Sequence, residues 1–238
     1  MEVFSQLVTL PKTGQRLTMA EIFKVFERVA SDHVDSLGLG REFFDARGSA
    51  WVLTSEHLCF KAPIVPGSTV KISTWAGETK FALFPRYFLM EDEGGAELAG
   101  AGSLWSIMDL KQRRILFPEE NGVKVEGVVT GRETPLPKNI RSVKAEPELT
   151  MTVTPEDIDA NGHMNNAVYL DWLERALPEE VLSGDGIGEL TIIYKKELLL
   201  GDSAHIRVDR RPGGFTMQGL HDGKPAFSVA VEYKDSIK

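Results

Sequence analysis

Between Thr18 and about Leu37 the apolar residues Ile22, Phe23, Phe26, Val29, Ala30, Val34 and Leu37 recur at steps of three and four, the spacing of one helix face. Thr18 with Glu21 three positions on predicts a capping box, and Gly38 a stop. The period then changes. Trp51 to Phe60, Thr69 to Trp75, Phe81 to Met90 and Leu98 to Leu110 read as strands, broken at Pro66-Gly67, Gly77 and Glu93-Gly94-Gly95. From Gly131 the chain reads GRETPLPKNIRSVKAEP, with three prolines and no sustained apolar period, which predicts a linker over 131–146 between segments 1–130 and 147–238. Beyond it the pattern restarts: a short strand at Leu149 to Thr154, then a helical stripe of Val168, Tyr169, Trp172, Leu173, Ala176 and Leu177. Strands follow at Leu190 to Leu200, Ala204 to Arg210, Phe215 to His221 and Ala226 to Tyr233.

Sliding one half over the other by 147 residues sets Glu27-Arg28 on Glu174-Arg175, with apolar neighbours on both sides. The match is short, but the order of elements repeats with it, so the sequence reads as an internal duplication. A long helix whose stripe is buried on one face of an antiparallel sheet is an α+β layer. Two such units in one chain predict a double hot-dog.

Composition narrows the function. The 27 Lys and Arg against 35 Asp and Glu give a formal net charge of −8, which argues against a generic nucleic-acid binder. The single cysteine, Cys59, allows neither an intrachain disulfide nor a Cys-rich metal cluster and suits a reducing cytoplasm. The opening MEVFSQLVTLPKTG has neither a secretory nor a transit pattern, and no run of about 18 apolar residues predicts a membrane span.

The densest polar stretch is Asp157-Ile158-Asp159-Ala160-Asn161-Gly162-His163-Met164-Asn165-Asn166, just before the second helix. Its first six residues fit the opening of an EF-hand loop, but Val168 stands where the bidentate Glu belongs and the flanking residues are strand-like, so calcium is rejected. Asp, Asn and Gly also suit a turn, with Asn165 as a helix cap. A cap needs one or two such residues, whereas Asp159, Asn161 and His163 alternate beside a helix N-terminus, where N–H groups and the dipole suit an oxyanion. In the first repeat, 147 residues earlier, the same positions hold Lys12, Gly14 and Arg16, so the fold does not demand the polar set. His57, His205 and His221 read as structural or surface residues, and His33 as a satisfied helix residue.

The pattern resembles the acyl-acyl carrier protein (acyl-ACP) thioesterases, closer to bacterial members than to plastid ones. Trp51-Val52-Leu53-Thr54, Gly67 to Trp75, and Leu104 to Leu110 with Arg113-Arg114 look like the family's first repeat. Asp157 to Asn166 followed by Tyr169 and Trp172 looks like its D-x-D-x-N-x-H-x-N-N signature. The resemblance implies catalytic Asp159, Asn161 and His163. A tyrosine, two basic residues and glutamate, Tyr194-Lys195-Lys196-Glu197, imply a further acid on a strand, Glu197. Plant members have a cysteine after that glutamate and this chain has Leu198, which argues against a cysteine nucleophile here. Two routes remain: attack by water with Glu197 or Asp159 as base, or attack by Asp159 through a mixed anhydride. No cofactor or metal is needed, because a thiolate leaves readily.

The expected reaction is hydrolysis of fatty acyl-ACP to free fatty acid and acyl carrier protein, a step of fatty acid biosynthesis and lipid metabolism. An acyl-CoA thioesterase, a hot-dog dehydratase and a non-catalytic acyl-binding module are the alternatives. The first repeat is expected to form the acyl-chain pocket from aromatics such as Phe23, Phe26, Trp75, Phe81, Phe84 and Phe88. The acidic carrier protein needs local positive patches, for which Lys111 with Arg113 and Arg114, Lys138 with Arg141 and Lys144, and Arg207 with Arg210 and Arg211 are candidates. A homodimer is compatible with this reading.

Overall fold

The computed structural model describes residues 2–159, 162–177 and 186–234. Its contacts divide the chain into an N-terminal unit, Met1–Lys12 with Lys24–Pro137, and a C-terminal unit, Thr13–Phe23 with Lys138–Lys238. In the first, strands β1 (Phe4–Thr9), β2 (Ser49–Phe60), β3 (Thr69–Ala76), β4 (Phe84–Glu91) and β5 (Glu97–Asp109) are antiparallel in the order β1-β3-β4-β5-β2, with β6 (Arg114–Leu116) paired to the end of β5.

Helix α1 (Met19–Ser36) starts where the capping box predicts: the Glu21 N–H donates to Thr18 Oγ1 at 3.1 Å, and the Thr18 N–H to Glu21 Oε2 at 2.8 Å. Phe26 on its buried face meets Phe88 of β4, ring centroids 5.1 Å apart. Truncating Phe26 to alanine would cost about 3–5 kcal/mol. Past α1, the short helix α2 (Arg41–Asp45) sets Phe44 against Trp51, Phe84 and Val125 in a second apolar cluster.

After β6 and the helical turn α3 (Pro118–Asn121), the chain straps back along β3, where the Thr79 N–H donates to Val125 O and the Val128 N–H to Ala76 O. Gly127 makes this possible. It sits at φ +80°, and a Cβ there would lie 2.3 Å from Glu78 N.

The C-terminal unit pairs β8 (Ile187–Tyr194), β11 (Lys224–Tyr233), β10 (Gly214–His221), β9 (Ser203–Arg211) and β7 (Leu149–Thr152) in that order, all antiparallel. Helix α4 (Val168–Ala176) buries Val168, Tyr169, Leu170, Trp172 and Leu173. Tyr169 and Trp172 pack on Phe227 of β11, whose ring lies over Gly219 so closely that a Cβ there would fall 2.0 Å from it. From the segment before α1, Arg16 Nη2 reaches Glu174 Oε2 at 2.6 Å and the Met19 N–H donates to Glu174 Oε1 at 2.6 Å. Each unit is thus a helix on an antiparallel sheet, the hot-dog arrangement predicted.

Two predicted strand ends draw in by several residues, and one strand had no predicted bounds. The strand expected from Phe81 begins at Phe84, because Lys80 and Leu83 close a turn that leaves Phe81 88% exposed at φ 56°. The strand expected to run to Leu200 ends at Tyr194, for reasons that shape the site. β1, which the repeated order of elements implies before the first helix, had no predicted range: its alternate exposed residues, with Leu7 75% exposed, hide a single-sided edge strand.

Candidate active site

The polar loop is a small hairpin built on a turn. Thr154–Asp157 forms a capped turn in which the Thr154 N–H and Oγ1 both donate to Asp157 Oδ2, at 2.8 and 2.9 Å, so the carboxylate that would open an EF-hand faces back on the backbone. Ile158 and Met164 then bridge, the Asp159 N–H donates to His163 O at 2.9 Å, and the Gly162 N–H donates to Asp159 O at 3.1 Å. Gly162, at φ 82°, turns the tip. Asp159 and His163 therefore oppose each other across the hairpin neck, and Asp159 Oδ1 lies 3.4 Å from the His163 N–H. Asn161, the third member of the predicted set, lies outside the described residues.

The loop feeds α4 through Asn165, whose N–H donates to Asp157 O and whose Oδ1 accepts from the Ala167 N–H at 2.8 Å. Asn165 therefore forms the turn that leads into the helix and not its cap: Ala167 is the N-cap, and no side chain caps α4. Tyr194, the last residue of β8, donates its hydroxyl to Asn166 O at 3.1 Å and stacks edge-on against Tyr169. Burial raises the Tyr169 phenol above its ordinary pKa, against a backbone hydrogen bond at Leu198 that lowers it, so it stays protonated.

Glu197 comes to this loop from an irregular segment and not from a strand. The Lys195 and Lys196 N–H groups both donate to Ala226 O, at 2.8 and 3.0 Å, which ends the ladder with β11. Leu198 is fully buried and its carbonyl accepts the Met164 N–H at 2.9 Å, while the Leu199 N–H donates to Asp202 Oδ2. These anchors deliver the Glu197 carboxylate to the imidazole: His163 Nε2 and Glu197 Oε2 are 3.1 Å apart, with side chains 27% and 36% exposed.

The structure thus brings Asp159, His163 and Glu197 into one half-exposed cluster. A carboxylate at one imidazole nitrogen fixes which tautomer is present and stabilises the imidazolium, leaving the other nitrogen to accept a proton. Cys59 belongs to β2 in the N-terminal unit, buried with Sγ 3.3 Å from His57 Nε2.

Sequence reading missed the buried ionisable groups of the N-terminal unit. Arg86 sits within β4 with Nη1 3.0 Å from His33 Nδ1. Burial, aided by Arg86, holds His33 down at about 4, so it is neutral. Glu56 of β2 is 3% exposed, and burial reinforced by Glu27 pushes its carboxyl up to about 8. For Arg86 and Glu56 a charge inside an apolar strand, as in Phe84-Pro85-Arg86-Tyr87-Phe88, marks the position without telling which way it faces; His33 on α1 carries no such mark. The same unit contains a cavity of about 100 Å³, lined by Ala30, Val34, Trp51, Phe84, Arg86 and Trp105 among others. Of the aromatics proposed for an acyl pocket only Phe84 lines it; the others pack as core, apart from exposed Phe81.

Comparison with known proteins decides the family. The acyl-ACP thioesterase N-terminal domain matches residues 11–121 and the acyl-ACP thioesterase C-terminal domain matches residues 140–232. The chain belongs to the acyl-ACP thioesterase family. Among solved structures it is similar to an acyl-ACP thioesterase from Bacteroides thetaiotaomicron, with 20% identity, 98% of each chain covered and a TM-score of 0.84. The 12:0-ACP thioesterase from Umbellularia californica gives 19% identity over 98% of this chain and 97% of that one, with a TM-score of 0.77. These likenesses establish the double hot-dog fold. A chloroplastic acyl-[acyl-carrier-protein] hydrolase of Cuphea viscosissima is 27% identical over 191 residues, 74% of this chain and 46% of the relative. The chain spans about half the length of the curated relatives it matches. No helix among the described residues is long and apolar enough to cross a membrane.

Proposed function

We propose that this chain hydrolyses the thioester of a fatty acyl-ACP, releasing free fatty acid and acyl carrier protein. The observation that carries the reading is the 3.1 Å contact between His163 and Glu197, beside Asp159, inside the family's C-terminal domain. In place of the carboxylate base expected from the sequence, His163 serves as base: with Nε2–H donated to Glu197, its Nδ1 takes a proton from water as the water oxygen attacks the thioester carbonyl. The tetrahedral intermediate then collapses, the carbon–sulfur bond breaks, and the imidazolium returns the proton to the thiolate. Asp159 orients the water, and Asn161 supplies a neutral amide donor to the developing oxyanion.

The apolar cavity of the N-terminal unit takes part of the acyl chain. Its volume of about 100 Å³ is below the ~150 Å³ of an apolar cavity that holds benzene, so it accommodates a short segment, each buried methylene contributing about 0.8 kcal/mol.

For the carrier protein, the candidate cations differ in how far they are already paired. Arg114 is tied to Glu120, Arg210 to Glu148 and Arg211 to Glu232. Lys138, Arg141 and Lys144 are exposed and make no ion pair among the described residues, which favours this segment as the docking patch. The reaction belongs in the cytoplasm, and a homodimer is compatible with it.

The test is turnover of one acyl group on three carriers, acyl carrier protein, coenzyme A and pantetheine, by wild type and by Lys138→Glu/Arg141→Glu/Lys144→Glu. The reading expects free acid as product, the highest kcat/KM on the carrier protein, and a rise in KM confined to that carrier in the variant. Enoyl thioester without free acid, or acyl thioester bound but not consumed, would overturn it.

A further inference from the structure

We propose that the cavity of the N-terminal unit selects an acyl chain bearing an oxygen (hydroxyl, keto or carboxylate) and that Arg86 is the residue that recognises it. Arg86 is 7% exposed and faces Ala76 and Ser103 across the sheet. Its bond to His33 of α1 places the guanidinium between helix and sheet, and Arg86 is one of the residues that line the cavity. Of its five N–H donors, those on Nη1 serve His33 Nδ1 at 3.0 Å and Thr74 Oγ1 at 3.1 Å. Nε and Nη2 have no hydrogen-bond partner among the described residues.

No carboxylate neutralises the charge either. Among the described residues Arg86 makes no ion pair, and the lowering of its pKa to about 10 comes from burial alone. Glu56 lies on the same sheet face, beyond Ser103, but it holds its proton at neutral pH. The rest of the wall is predominantly apolar, from Ala30 and Val34 of α1 to Trp51, Phe84 and Trp105 of the sheet. Neither Nε nor Nη2 is fully closed off from solvent, so a guest that displaces water from them must accept from them in its place. Guanidinium has no acceptor, so the complementary guest must supply one. Unsaturation or a methyl branch would not, and a saturated chain would leave the donors dry and unpaired. Sites built to bond a substrate oxygen reject analogues that lack it far more strongly than apolar pockets reject a change in length.

This inference rests on the reading that an acyl chain enters the cavity, and the experiment separates the two. Decanoyl-ACP is compared with a positional series of hydroxydecanoyl-ACPs from the 3- to the 10-hydroxy isomer. In the wild type at least one isomer is expected to exceed decanoyl-ACP about tenfold or more in kcat/KM. Arg86→Met is expected to abolish or reverse that preference. The same series as methyl esters is titrated by quenching of tryptophan fluorescence, since Trp51 and Trp105 line the cavity. An oxygen preference in binding without hydrolysis of any thioester would sink the hydrolase reading and leave this one standing. Absence of preference in the wild type, or its survival in Arg86→Met, overturns the proposal; if the variant does not fold, the wild-type series decides alone.

Discussion

Replacing Glu197 by glutamine keeps the size of the side chain at 3.1 Å from His163 Nε2 but removes the charge that would hold an imidazolium. The geometry separates two readouts. The pair is 27% and 36% exposed, so as an ion pair it is worth at most about 1 kcal/mol of stability. For a chain of this length that moves Tm by only about 2–4 °C. Glu197 holds the base His163 in place, however, and a positioned base contributes about 10²–10⁴ in rate. The expected outcome is therefore a fall of at least a hundredfold in kcat on dodecanoyl-ACP with a Tm within about 4 °C of wild type. Thiol release is followed with a chromogenic disulfide and Tm by circular dichroism. A Glu197→Gln enzyme within threefold of wild type, with its fold intact, would refute the assignment of this contact to the reaction.

Asp159→Ala should reduce turnover at least a hundredfold, and a single turnover in ¹⁸O-water should leave no label in the Asp159 carboxylate; label found there would mean that Asp159 attacks the thioester itself. Cys59→Ala should keep kcat within threefold and lower Tm by a few degrees, since Cys59 is buried in β2; loss of activity would bring a thiol nucleophile back into the mechanism. The buried groups predict opposite pH slopes. Between its usual 4.5 and about 8 the folded chain keeps a proton on Glu56 that the unfolded chain releases, so stability falls as pH rises through that window, by at most about 1.4 kcal/mol per pH unit. Between about 4 and 6.5 the unfolded chain binds a proton that folded His33 refuses, so stability falls as pH drops. Urea midpoints at pH 5, 6.5 and 8 should show Glu56→Gln losing the first slope and His33→Gln the second; a wild-type slope between 6.5 and 8 in Glu56→Gln would show that the carboxyl is not held protonated.

Periodicity alone determined that each half has a long or medium helix on antiparallel strands, because a stripe at steps of three and four has one way to leave water and alternation has another. The capping box at Thr18, the turn at Asn165 and the polar hairpin were likewise local, written within a few residues of chain. At the 147-residue offset the second loop already differs from the first in sequence, Asp159, Asn161 and His163 standing against Lys12, Gly14 and Arg16. The contact between His163 and Glu197 was not local. The motif paired them only by resemblance, and their approach depends on where β8 stops, on Lys195 and Lys196 sharing one carbonyl, and on Leu198 being buried under the loop. Nor could the sequence say that Arg86, His33 and Glu56 are buried. A charge in a strand is usually solvated, and only the packing of α1 over the sheet decides which face it takes and whether water reaches it. Short-range patterns specify elements because their hydrogen bonds close within the segment. Sites and perturbed charges wait for tertiary structure because they depend on the dielectric and the neighbours that distant segments bring.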